Sequence, residues 1–177
     1  MKRIDLLGKT QELDCVFLSI VCKDMIPYKK HYNDKERLTG ILTIKRHEGN
    51  IGFLGGKVDE GETLYDALVR EVYEEGNIDI SDYLQKIEPV CSHAFAGADI
   101  HHFTLEVSRD EILGMARSII DAEHFGEEIT GFSIDLVHPK TVDNILENNF
   151  KATAGLEMRE LINRIISSDS YKDMNWV

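Results

Sequence analysis

The chain of 177 residues has little cysteine, proline or aromatic content: three Cys, three Pro, one Trp, and 8% Phe, Trp and Tyr together. Cys15, Cys22 and Cys91 are odd in number and lack metal-ligand spacing, which argues against a disulfide scaffold and for reduced thiols in a cytoplasmic compartment. Cys15 and Cys22 lie in an apolar run and are expected to be small buried hydrophobes. With few prolines, no internal repeat and no low-complexity linker, nothing marks a domain break, so one domain over 1–177 is expected. The longest apolar stretch, Cys15 to Cys22, is far short of the ~20 residues that span a bilayer, and no membrane partner is expected. Lys2 and Arg3 lead into Ile4-Asp5-Leu6-Leu7-Gly8-Lys9, which lacks the apolar core of a secretory leader. Positive charge is also short: 20 Lys and Arg against 32 Asp and Glu give a net charge of −12. That balance argues against sequence-independent binding along a polyanion. The deficit is uneven, since residues 1–54 carry 10 basic and 7 acidic groups and residues 55–177 carry 10 and 25.

Strands and helices alternate along the chain. Residues 14–22 are short, β-branched and continuously apolar, the pattern of a buried strand; 25–37 is a polar loop and 40–45 a second strand. Gly49-Asn50 and Gly55-Gly56 mark turns around short extended pieces. From Thr63 to Gly76, Leu64, Leu68 and Val72 recur every fourth residue, which predicts an amphipathic helix ending at Gly76-Asn77. Strands follow near 87–95, 101–107 and 129–137, and helices near 109–119, 141–148 and 154–167. This order predicts a layered α/β domain. The last helix carries Leu156, Leu161, Ile162, Ile165 and Ile166 on one stripe, for which core packing is the first reading and a homodimer interface the second.

The chemistry concentrates between Gly56 and Ile78. Glu71, Glu74 and Glu75 stand at i, i+3 and i+4 and therefore share a helical face. Unpaired, they repel; a divalent cation reverses the sign, and carboxylate oxygens are the ligands Mg²⁺ and Mn²⁺ prefer. Arg70 can reach back to Glu62 in a charge-assisted contact. Glycines ahead of the helix let backbone approach a phosphate.

Gly56, five residues, Glu62, seven residues and Arg70-Glu71-Val72-Tyr73-Glu74-Glu75-Gly76-Asn77-Ile78 resemble the Nudix hydrolase signature, with Asn77 standing where the family has Gly. The resemblance implies an α/β/α sandwich with a mixed sheet and a loop-helix-loop at 56–78. It implies hydrolysis of a nucleoside diphosphate derivative with two or three Mg²⁺ or Mn²⁺ ions. Glu71, Glu74 and Glu75 are then metal ligands, Arg70 orients Glu62, and Gly55-Gly56 shape a phosphate loop. The general base lies inside the signature at Glu75 or outside it at Glu128.

A broader resemblance spans about residues 40–165, through Phe53 to Asp59, His93, His102-Phe103, Gly126-Glu127-Glu128 and Leu146 to Phe150. It is to the Nudix branch of small nucleolar RNA decapping enzymes, which also hydrolyse inosine diphosphates. This implies Glu128 as a further ligand or base, and Arg46, Phe53 and His93 near the nucleotide or its phosphates. Leu54 and Lys57 depart from the branch's Pro and Phe, and Glu157 stands where it has Gln near the base. Substrates implied are inosine or guanosine nucleotides or a capped RNA 5′ end. ADP-ribose and dinucleotides are the alternative, and a non-catalytic nucleotide-sensing or RNA-binding module is the reading from another class.

Other polar residues are ambiguous. His101 and His102 adjoin on a strand and must face opposite sides, so both cannot ligate one metal. His31, His47, His124 and His138 lie among polar residues and are expected at the surface. Arg46 is either a solvated strand end or a phosphate clamp. Lys29, Lys30, His31, Lys35 and Arg37, with Tyr28 and Tyr32, form either a solvated loop or a path for a polyphosphate.

Overall fold

A computed structural model of the chain describes residues 13–25, 38–138 and 141–167. The basic loop and the polar tail after Ser167 lie outside the described residues. Seven strands form one mixed sheet: β1 (Asp14–Met25), β2 (Leu38–Arg46), β3 (Ile51–Gly52), β4 (Leu54–Lys57), β5 (Ile87–Phe95), β6 (Ala98–Glu106) and β7 (Ile129–Val137). Helices α1 (Leu64–Gly76) and α2 (Arg109–Ser118) precede β7; α3 (Val142–Leu146) and α4 (Ala154–Ile166) follow it.

Strand β1 is the centre of the sheet. It runs parallel to β6 from Asp14 opposite Asp99 to Val21 opposite Glu106. Its other edge is shared: β4 pairs with Cys15–Leu18 and β2 begins at Ile20, both antiparallel. The continuous apolar run has a physical reason, because both faces of β1 are covered. Val16, Leu18, Ile20 and Cys22 pack with Leu68 and Val72 of α1 and Ile112 and Ala116 of α2. Val21 packs on the other side with Met158, Leu161 and Ile162 of α4. Helices on both faces of a mixed sheet give the expected α/β/α sandwich.

Local signals explain the ends of α1. The Thr63 hydroxyl accepts from the Asp66 N–H at 3.2 Å, and the Asp66 carboxylate accepts from the Thr63 N–H at 3.2 Å, so the helix starts in a capping box. Asn77 closes it in the left-handed region at φ 51° and ψ 38°, where Asn is tolerated in place of Gly.

The structure revises several expectations. Strand β1 continues to Met25, and β6 begins at Ala98 because Ala96 and Gly97, at φ 50° and 87°, already make the turn from β5. Leu156 leaves the buried stripe of α4 at 59% exposure; Met158 replaces it, because Ala154, Met158, Leu161, Ile162 and Ile165 form the inward set. His138 is buried at the end of β7, not at the surface, where its backbone N–H donates to the Thr141 hydroxyl at 3.1 Å and its carbonyl accepts from that hydroxyl at 3.2 Å. His101 and His102 do face opposite sides. His101 contacts the Ser92 hydroxyl at 3.0 Å and Asp14 at 3.5 Å. His102 contacts Ser19 at 2.7 Å and stacks on the Phe53 ring at 4.7 Å. Burial pushes the His102 pKa down to about 3, so it is a neutral core group.

Candidate active site

A cleft of about 530 Å³ opens where β2 and β4 divide the edge of β1. That size lies within the ~300–1,000 Å³ usual for small-molecule sites. Its polar end is lined by Arg46, Glu71, Glu74, Glu75, Lys57, His124 and Glu128. Phe17, Phe53, Phe95, Ile100 and Ala154 supply apolar wall elsewhere, with Glu157 and Thr153 among them.

Glu75 is 1% exposed near the end of α1. One of its oxygens accepts from Arg46 Nη1 at 2.5 Å and the other from the Gly55 N–H at 2.8 Å. Burial still outweighs these partners and pushes its pKa up to about 7. Arg46 is buried too, donating further to the carbonyls of Gly55 at 3.2 Å and Phe53 at 3.4 Å. The solvated-strand-end reading of Arg46 is therefore wrong: the last residue of β2 points back under the sheet edge and meets the helix carboxylate.

Arg70 is the second hub. It makes paired contacts of 2.9 Å to both Glu62 oxygens and donates 2.9 Å to the Lys57 carbonyl. Its Nη1 donates to Glu71 at 2.9 Å and to Glu74 at 3.1 Å. Hydrogen bonds from Arg70 hold Glu62 down to about pKa 2, while burial raises that of Glu71. Glu62 and Arg70 do not line the cleft; they brace it from behind. Glu128 faces the carboxylates from the segment before β7, with its side chain 56% exposed, 3.5 Å from Arg46 and 3.9 Å from His124.

The two glycines have tighter duties than a phosphate cradle. At Gly55, φ 139°, a Cβ would stand 2.1 Å from the Val16 carbonyl, so the residue lets β4 lie against β1. Its N–H is already used by Glu75. At Gly56 a Cβ would stand 2.6 Å from the Glu71 carboxylate.

The carboxylates suit a hard divalent cation, being oxygen donors gathered on one wall. Among the described residues, however, no three His, Cys, Asp or Glu groups converge as they would around an ion. The reason is visible: Arg70 draws Glu71 and Glu74 together, and Arg46 draws Glu75 away. Arginines supply the positive charge here, and a bound cation would displace part of these contacts.

His93 is brought near the cleft only indirectly. It does not line it, and its Nε2 stands 3.5 Å from Glu157 Oε1, behind that carboxyl. Sequence reasoning missed Phe17, Lys57, Phe95, Lys151 and Thr153 as cleft residues. Alternation along β1 carried a signal for Phe17, which shares a face with Cys15; the other four follow from tertiary packing alone. Cys15 is half-buried and lines the cleft instead of sitting in the core, and His124 lines it too.

The chain belongs to the Nudix family: the NUDIX domain model matches residues 31–137, more than half its length. It is 34% identical over 106 residues to a U8 snoRNA-decapping enzyme of Homalodisca vitripennis, a match covering 58% of this chain and 57% of that protein. The chain thus aligns with little more than half of that relative. Among solved structures, a MutT/nudix family protein from Enterococcus faecalis superposes with TM-score 0.59 and 14% identity, covering 99% of this chain and 69% of that one. The NUDIX domain of Shewanella oneidensis NrtR, solved with ADP ribose, gives 0.54 and 15%, covering 89% and 90%. A C. elegans Ap4A hydrolase gives 0.54 and 13%, covering 88% and 99%. At these identities the structures speak for the fold alone.

Proposed function

We propose that the chain, as one domain over 1–177, is a pyrophosphohydrolase dependent on Mg²⁺ or Mn²⁺. It cuts a phosphoanhydride bond in a nucleoside diphosphate derivative, with inosine or guanosine nucleotides and the capped 5′ end of RNA as the leading substrates. The observation that carries this is the acid wall of the cleft: Glu71, Glu74 and the buried Glu75 on α1, faced by Glu128 from another element. Those four carboxylates would hold the cations. When bound, such ions lower the pKa of a coordinated water and neutralise pyrophosphate oxygens.

The protein's own groups supply the rest. Arg70 clamps Glu62 and fixes the approach to α1. Arg46 and the Gly55 N–H hold Glu75 in place. Glu128, with the more open side chain, suits the role of accepting a proton from the attacking water, whereas both Glu75 oxygens are engaged. The resemblance to the decapping enzyme supports the substrate reading. A non-catalytic module would have no need to keep Glu62, Arg70, Glu71, Glu74 and Glu75 together.

The test is a panel of inosine, guanosine and adenosine diphosphates, ADP-ribose, a dinucleotide polyphosphate and short capped RNA, scored by the bond cut. Cleavage of the diphosphates or the cap is expected. ADP-ribose cleavage without either rejects the substrate assignment, and metal-dependent turnover of none rejects the enzyme.

A further inference from the structure

His124 lines the cleft with its side chain 30% exposed, and nothing in the chemistry above uses it. Its backbone is the knot of the segment before β7. The His124 N–H donates to the Glu74 carbonyl at 3.3 Å. Its own carbonyl accepts from the N–H groups of Glu127 at 3.3 Å, Glu128 at 3.0 Å and Ile129 at 3.3 Å. The bond from Glu128 closes a turn over residues 124–128, with Gly126 at φ 92° inside it. The turn brings both side chains to the cleft, with His124 Nδ1 standing 3.9 Å from Glu128 Oε1. One end of the turn is thus tied to the helix that carries Glu71, Glu74 and Glu75. The other is tied to the end of β2, because the His47 N–H donates to the Glu128 carbonyl at 3.0 Å.

The backbone of Glu128 is therefore fixed, while its side chain is 56% exposed and turns about several single bonds. A group that takes a proton from the attacking water must be held within hydrogen-bond reach of it. One neighbour stands at each carboxylate oxygen. Arg46 is 3.5 Å from Oε2, but it already donates to Glu75 and to the carbonyls of Phe53 and Gly55. His124 stands at Oε1, and among the described residues its ring has no other polar partner. A small rotation of either side chain closes that gap to a hydrogen bond.

We propose that His124 is the positioning residue of Glu128: its Nδ1–H holds one carboxylate oxygen and keeps the group aimed into the cleft. The inference rests on the reading of Glu128 as the proton acceptor of a hydrolase, and it fixes which ring nitrogen carries the hydrogen. A donor at Nδ1 leaves Nε2 of the neutral ring as the acceptor.

The experiment has two arms, with folding checked by circular dichroism. The first measures kcat and KM for guanosine diphosphate with Mg²⁺ in the wild type, His124→Asn, His124→Gln and His124→Ala. The Asn amide keeps a donor where Nδ1 stands, whereas the Gln amide places it near Nε2. His124→Asn should therefore stay within about threefold of the wild-type kcat, and His124→Gln and His124→Ala should each lose about 10–100-fold with KM unchanged. Wild-type kcat in His124→Ala, or Asn and Gln variants alike, overturns the inference. The second arm needs neither metal nor turnover. Long-range ¹H–¹⁵N NMR of the metal-free protein at about pH 8, where an imidazole is ordinarily neutral, reads the His124 tautomer. The hydrogen should sit on Nδ1 in the wild type and move to Nε2 in Glu128→Ala. A wild-type ring with its hydrogen on Nε2 rejects the inference whatever the turnover. The Nδ1 signature, lost in Glu128→Ala, together with no hydrolysis by the wild type upholds the His124–Glu128 pair and rejects the hydrolase reading.

Discussion

Replacing Glu157 by Gln should stabilise the metal-free protein, and by more at about pH 8 than at about pH 5. Burial raises the Glu157 carboxyl from 4.5 to about 7. Between those values the folded protein binds more protons than the unfolded chain, so stability falls as pH rises through this window. Below it the group is neutral in both states and costs nothing; above it the full penalty is present. At about 1.36 kcal/mol per pH unit, the whole window is worth about 3 kcal/mol, and the interval from pH 5 to pH 8 about 2.5 kcal/mol. Glu75 titrates over the same range but is common to both proteins, and any packing change at the amide is common to both pH values, so each cancels in the comparison. For a chain of this length about 1 kcal/mol moves Tm by ~2–4 °C. The Tm gain of Glu157→Gln should therefore be about 5–10 °C larger at the higher pH. Differential scanning calorimetry in a chelating buffer reads it directly. A gain that is the same at both pH values would refute the account of Glu157 as a buried acid whose burial outweighs the 2.7 Å hydrogen bond from the Thr153 hydroxyl.

The two loop glycines should fail differently. Gly55→Ala drives a Cβ into the Val16 carbonyl and should cost about 3 kcal/mol or more in urea denaturation, whereas Gly56→Ala meets only a movable Glu71 carboxylate and should keep the fold while lowering turnover at least about tenfold. Asn77→Ala should cost about 1 kcal/mol by forcing Ala into the left-handed region, and Asn77→Gly should be neutral or mildly stabilising by the same assay. Glu75→Gln should retain the native circular dichroism spectrum, because the amide keeps the side chain's size and its oxygen still accepts from one of Arg46 and the Gly55 N–H, yet lower kcat by about 10²-fold or more.

The sequence made local features legible where they are locally determined. The start of α1 follows from Thr63 and Asp66, its end from Asn77, and the Arg70–Glu62 clamp from spacing on a helix and the loop before it. The buried character of β1 followed from its unbroken apolar run, and its deepest residues do pack on both faces. What pattern did not reveal was long-range. Arg46 and Glu75 are 29 positions apart, and their pairing depends on how β2 ends beside α1. Glu157 is one acid among many in an acidic chain, and only the crossing of α4 over the sheet buries it against His93. The uneven charge also takes on physical meaning. Part of the acidity after residue 54 is a wall of carboxylates held by two arginines, one of which comes from the more basic first third of the chain.

The central claim is that the carboxylates around Glu75 use a divalent cation to hydrolyse a phosphoanhydride. It is tested most directly by ³¹P NMR of a guanosine diphosphate incubation, run with Mg²⁺, with chelator, and with Glu75→Gln plus Mg²⁺. The account predicts orthophosphate and the monophosphate in the first sample alone. Equal product with chelator, or from Glu75→Gln at the wild-type rate, would contradict it.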